Sequence, residues 1–151
     1  MNFIFEATAR IRQNCLDAIK DLSIEQLHCI PKGFNNNIIW QLGHLPVTQQ
    51  ILVYIRTNQP IRIPEGLLPL FRKGTSPKEW NKPADLKEIS ELMKITAEAV
   101  KTDYEKGLFK NYEEYQTSSG LILRNVEDAL LYNYGHENLH YGNILAMKKL
   151  L

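Results

Sequence analysis

The chain has 151 residues, of which 44% are hydrophobic and 23% charged, and its formal net charge is +1 with histidine neutral. That length suits one domain over residues 1–151 with one substantial core, and the composition excludes a disordered polyelectrolyte. A charge so close to zero offers no field to attract nucleic acid or an anionic membrane, and no apolar run approaches the ~20 residues that span a bilayer.

Taken in chain order, Phe3, Ala7, Ile11, Cys15, Ile19 and Leu22 recur at helical spacing, with Glu6, Arg10, Arg12, Asp17 and Lys20 off that stripe. The pattern predicts a first helix over residues 2–21, which neither Gly nor Pro interrupts. Glu6 falls where a signal peptide would continue its apolar stretch, so a cytoplasmic protein is expected. Cys15 and Cys29 lack the CxxC spacing and read as reduced thiols. His28 lies beside the turn Pro31-Lys32-Gly33 and reads as a boundary residue. Asn35-Asn36-Asn37 offers capping residues for a second helix from Ile38 to about Asn58. Pro46 falls inside that helix, where it removes a donor and crowds the preceding turn, so a kink near His44 is expected.

Residues 59–83 hold Pro60, Pro64, Pro69, Pro77 and Pro83 and read as a long crossover rather than a helix. Leu67, Leu68, Leu70, Phe71 and Trp80 predict that it packs down on the core. A third helix follows from Ala84 to about Lys106, with Gly107 as its stop. Residues 108–124 are ambiguous between a short extended piece and a packed loop, with a turn at Ser118-Ser119-Gly120. Asn125 caps a fourth helix, with Glu127 and Asp128 meeting the positive end of its dipole. Four helices with little strand signal make an all-α protein, read as a four-helix bundle.

The fourth helix carries Tyr134-Gly135-His136-Glu137-Asn138-Leu139-His140, and His44 stands upstream in Trp40-Gln41-Leu42-Gly43-His44. Residues four apart share a helix face. Two such imidazoles bind one transition metal, and a third from a facing helix completes a three-histidine site with open positions. Asn133 and Asn143 lie on the same stripe as His136 and His140 and are candidate acceptors for the outer ring nitrogens. The alternative for each histidine is a hydrogen-bonded core residue. His136 to His140 also matches HExxH, the zincin signature, whose Glu is a general base. No His, Asp or Glu follows in residues 141–151 to supply the downstream ligand, which weighs against a protease. Glu137 sits about 100° around the helix from His136. It is a candidate either for reaching a metal-bound water or for a solvated or dimer-facing position.

The helix-two motif Trp40-Gln41-Leu42-Gly43-His44 and the last-helix stretch His136-Glu137-Asn138-Leu139-His140-Tyr141-Gly142 resemble the DinB/YfiT-like superfamily, and the resemblance covers essentially the whole chain. It implies an up-down-down-up bundle with the long Pro-rich connection between helices 2 and 3. It implies His44, His136 and His140 as ligands, zinc or nickel as the metal, and a homodimer. Pro46, two residues past the first ligand, departs from the expected pattern. The superfamily mixes thiol-dependent S-transferases, which use a low-molecular-weight thiol as cosubstrate, with hydrolases.

Two functions follow as expectations. The first is a metal-dependent enzyme acting on a small molecule, a thiol transferase or alternatively a hydrolase, with Trp80, Phe71 and the tyrosines as substrate-wall candidates against their ordinary role as core aromatics. The second is a non-catalytic, metal-stabilised dimer, with Gly135, Gly142 and Ala146 permitting close helix approach. A sealed metal would favour the second, and an open position on a cavity of several hundred Å³ the first. Lys148-Lys149 and Arg72-Lys73 are isolated basic pairs, not a nucleic-acid stripe.

Overall fold

A computed structural model describes residues 1–151. The chain is predominantly helical: α1 (Asn2–Ile19), α2 (Ile24–His28), α3 (Ile38–Gln49), α4 (Leu68–Phe71), α5 (Leu86–Glu105) and α6 (Val126–Lys148), with a two-stranded antiparallel sheet of β1 (Tyr115–Gln116) and β2 (Ile122–Leu123). The four long helices pack α1 on α5 and α6, and α3 on α5 and α6. No helix is long and apolar enough to cross a membrane.

The caps are those the residue types favour. Asn37 accepts a bond from the Trp40 amide at 2.8 Å, while its own amide group donates to the His28 carbonyl at 3.1 Å. That joins the start of α3 to the end of α2, so His28 closes a short helix that the sequence pattern does not show. Asn125 accepts from the Asp128 amide at 2.7 Å. Gly107, at φ 68°, takes the left-handed turn that stops α5, a conformation costly for any residue with a Cβ. The ambiguous stretch resolves into β1 and β2, paired Tyr115 to Leu123 across the Ser118-Ser119-Gly120 turn.

α3 carries Pro46 inside it, as the sequence predicts. The helix continues through it, and the Gln50 amide then reaches the carbonyls of both Pro46 and Val47. Past that point the helix widens into a π turn over Gln50–Tyr54, followed by a tighter turn over Ile55–Thr57 that a left-handed Asn58 closes. The crossover contains short helical turns as well, α4 among them, and Phe71 within it is fully buried.

Apolar packing divides into two clusters. One gathers Cys15, Ile19, Leu42, Leu45, Ile89, Met93, Ile144 and Met147. The other gathers Phe5, Leu52, Val53, Val100, Ala129 and Leu130. Along each long helix, buried polar residues fall between the two: Arg12 on α1, Gln49 on α3, Thr96 on α5, and Asn133 and Glu137 on α6. Arg12, which the helical pattern set outside the apolar stripe, is 2% exposed because Glu137 is there to receive it. Leu139, by contrast, is 63% exposed.

Candidate metal centre

α3 and α6 pack against one another and bring His44, His136 and His140 together, with one ring nitrogen of each within 4.8 Å of the others. The His136 Nε2 atom lies 3.0 Å from Nε2 of His140 and 3.3 Å from Nε2 of His44. Nitrogens bound at zinc-like lengths in a tetrahedral arrangement are about 3.3 Å apart. His44 and His140 are held by their surroundings. The His44 ring stacks on Trp40 with centroids 4.5 Å apart and planes 15° from parallel. The Trp40 indole in turn donates to the Thr75 hydroxyl at 2.9 Å.

The outer nitrogens determine what the inner ones can do. His44 Nδ1 lies 2.6 Å from the Phe71 carbonyl, which only accepts, so Nδ1 carries the proton and donates. His140 Nδ1 donates in the same way to the Gln41 side-chain oxygen. Both rings therefore turn an unprotonated Nε2 toward the cluster. His136 Nδ1 is buried without a hydrogen-bond partner. Burial holds all three rings neutral, pushing His44 and His136 down to about 4 and His140 to about 3; for His44 the Phe71 carbonyl opposes this, and for His140 the neighbouring histidines add to it. With His136 protonated on Nδ1, three bare Nε2 atoms converge at 3.0–3.3 Å, an arrangement a cation would bridge, whereas without a cation His136 can donate from Nε2 to a neighbouring imidazole. The residues present thus fit a divalent metal.

Phe71 reaches His44 because Gly43 lets it. A Cβ at position 43 would collide with the Phe71 ring. With hydrogen there, α4 packs directly on α3, and the Phe71 carbonyl at its C-terminus, which has no helical partner, turns to His44. The glycine of the Trp40–His44 motif is explained by this approach of α4 to α3.

None of the other residues expected at the centre, Glu137, Asn133 and Asn143, makes a hydrogen bond to the three histidines. Glu137 is fully buried, and neither solvated nor at a surface. Its carboxylate accepts from Arg12 at 2.6 Å and from the Asn133 amide at 2.8 Å, with no hydrogen bond to any of the three histidines. Asn133 is thus engaged with Glu137 rather than with an imidazole. Asn143 lines the cavity beside the histidines, without a hydrogen bond to a ring. The acceptors on the outer nitrogens are Gln41 and the Phe71 carbonyl. Gln41 had a signal, standing one helical turn before His44 and so on its face. A backbone carbonyl supplied by a distant crossover has none.

The three histidines open on a cavity of about 940 Å³, whose walls include Trp40, Thr48, Tyr115 and Tyr132. Phe71 and Trp80 are not among its walls; they pack on each other with ring centroids 5.2 Å apart, as core aromatics do.

Fold and site together define a helical protein that presents a cluster of three neutral imidazoles, two buried and His136 half-buried, to an open cavity. The model of the DinB superfamily matches residues 7–144, and the chain belongs to that superfamily. No curated protein matches it.

Proposed function

We propose that this protein binds one divalent transition metal, zinc or nickel, through His44, His136 and His140, and is an enzyme that transfers a low-molecular-weight thiol to an electrophilic small molecule. The observation that carries this is the position of the three imidazoles on the wall of a 940 Å³ cavity rather than in a sealed core. A metal among three neutral ligands keeps its positive charge and favours the deprotonated form of a thiol or water beside it.

The chain's own residues contribute orientation and shape. The Phe71 carbonyl and Gln41 hold the His44 and His140 tautomers. Trp40 and Tyr132 flank the rings. No Asp or Glu lines the cavity, so a thiol's proton leaves to solvent. This favours transfer over hydrolysis, which ordinarily uses a positioned base to activate water.

The up-down-down-up course is supported by the two cores. α1 and α6 place their N-terminal halves in the cluster of Phe5, Ala129 and Leu130, whereas α3 and α5 place theirs in the cluster of Leu42, Leu45, Ile89 and Met93. A homodimer through the outer face of α6 suits Leu131 and Leu139, which are 60% and 63% exposed on either side of the exposed Gly135. The free thiols of Cys15 and Cys29 suit a reducing cytoplasm.

The test is elemental analysis of untagged protein beside His44→Ala, His136→Ala and His140→Ala, followed by a conjugation assay with a panel of small thiols and a generic electrophile. The expected result is near-stoichiometric metal in the parent, sharp loss in each variant, and metal-dependent conjugation. Unchanged metal content in all three variants refutes the centre. Metal retention with no conjugation across the panel refutes the transferase.

A further inference from the structure

The wall of the cavity has a one-sided charge. Lys73 and Lys78 both line it, from the crossover segment after α4, and no carboxylate does. Both lysines are exposed, and neither takes part in any of the ion pairs of the molecule. Ser76, Ser118 and Asn143 add neutral donor groups to the same wall. The chain as a whole carries a net charge of only +1, so this local excess is a property of the cavity and not of the surface at large. A cleft walled by one sign of charge focuses its field and raises the local concentration of the opposite sign.

From this distribution we infer that the cavity takes an anionic small molecule, bearing carboxylate or phosphate groups, with Lys73 and Lys78 as its charge-recognising residues. The inference rests on the metal-centre reading for where the ligand's reactive end lies. Its charge preference is a separate property of the lysines. An acid-bearing thiol or electrophile would orient with its charged groups toward the crossover and its reactive atom toward the histidines. A neutral or cationic molecule of the same size gains nothing from the lysines and, if cationic, is repelled.

The test uses small thiols that share a sulfur and differ in charge: cysteamine, 2-mercaptoethanol, 3-mercaptopropionate and mercaptosuccinate. Protein loaded with cobalt(II) reports thiol binding through sulfur-to-cobalt charge-transfer absorption, without any turnover. Affinity should rise along that order. In Lys73→Gln/Lys78→Gln the advantage of mercaptosuccinate over 2-mercaptoethanol should shrink by about fivefold, the combined effect of two exposed charge contacts, while the cobalt spectrum before thiol addition stays unchanged. Raising ionic strength should shrink it in the parent and not in the double variant. Succinate and inorganic phosphate as competitors then tell a carboxylate ligand from a phosphate one.

An advantage identical in parent and double variant overturns the inference and leaves the metal centre standing. Absence of cobalt uptake overturns the metal centre instead. The same series is then followed on the metal-free protein by NMR shifts of the amides of residues 73–78, where a charge preference abolished by the double substitution supports the inference and a flat series overturns it.

Discussion

Arg12 and Glu137, 125 positions apart, form a fully buried ion pair in which the guanidinium Nη2 lies 2.6 Å from the carboxylate. The remaining arm of Arg12, Nη1, donates to the Met93 carbonyl at 2.9 Å and to the Thr96 hydroxyl at 2.8 Å. One side chain on α1 is thus tied to α5 and α6 at the polar layer between the two apolar clusters. Removing one partner strands the other charge in a low-dielectric interior, which costs about 3–5 kcal/mol. Arg12→Met should therefore destabilise the protein strongly in chemical denaturation, and Arg12→Met/Glu137→Met should recover most of the loss. The folded fraction of each variant should still bind metal, because Arg12 contacts no histidine. A double variant as unstable as the single one would mean the pair stabilises through packing of the Arg stem and not through charge.

Gly43 is the point where α4 meets α3, and the collision of any Cβ there with Phe71 has two consequences. Gly43→Ala should cost about 1–3 kcal/mol, as overpacked sites do. By displacing Phe71 it should also remove the carbonyl that orients His44, so metal affinity should fall more than in a control of equal instability elsewhere. Phe71→Leu in the Gly43→Ala background relieves the collision and should restore both. Competition with a chromophoric chelator measures the affinity, and thermal unfolding the stability. Full affinity in Gly43→Ala at reduced stability would show that α4 does not position His44.

Acidification tests the buried imidazoles directly. Burial lowers His44 and His136 to about 4 and His140 to about 3, below the ordinary histidine value. The unfolded chain therefore binds more protons than the folded one between pH about 6.5 and about 4. Stability from these groups is complete above the unfolded value and is lost as pH falls through that window. Metal-free protein should lose stability progressively from pH 7 to pH 4, with a slope that flattens in His44→Gln/His136→Gln/His140→Gln. Protons compete with metal for the same Nε2 atoms, so the loaded protein should release its ion in the same direction. A flat stability profile for the metal-free parent would mean that these rings are solvated.

Much of this arrangement was legible in the sequence, for a local reason. His136 and His140 share a face because of helical spacing alone, and Asn37 and Asn125 announce their helices by side-chain chemistry. Their association with His44 was an expectation from ligand chemistry that the superfamily resemblance reinforced, because which helices face each other is a tertiary fact. What escaped was non-local. Arg12 and Glu137 each look solvent-facing in their own helix, and burial becomes affordable only when both are present. Phe71 acts through its backbone, which no side-chain pattern encodes. Lys73 was visible only as half of an isolated basic pair until the crossover folded it onto the cavity.

Gln41 isolates the contribution of tautomer control from that of ligation. Its side-chain oxygen accepts the proton-bearing Nδ1 of His140, and the residue is 4% exposed. Gln41→Leu keeps approximate volume and apolar burial while removing the acceptor. Free of that bond, His140 can protonate on Nε2, the nitrogen the cluster needs bare. Metal affinity should drop by about 10–100-fold, the usual cost of deleting a hydrogen-bond partner of a metal-bound histidine. Gln41→Glu retains an acceptor at the same position and should bind metal at least as tightly as the parent, since an anionic partner raises ligand basicity. Chelator competition on the three proteins gives the ranking. Equal affinities for parent and Gln41→Leu would mean that packing against Trp40, whose ring centroid is 6.3 Å from that of His140, already holds the imidazole without help from Gln41.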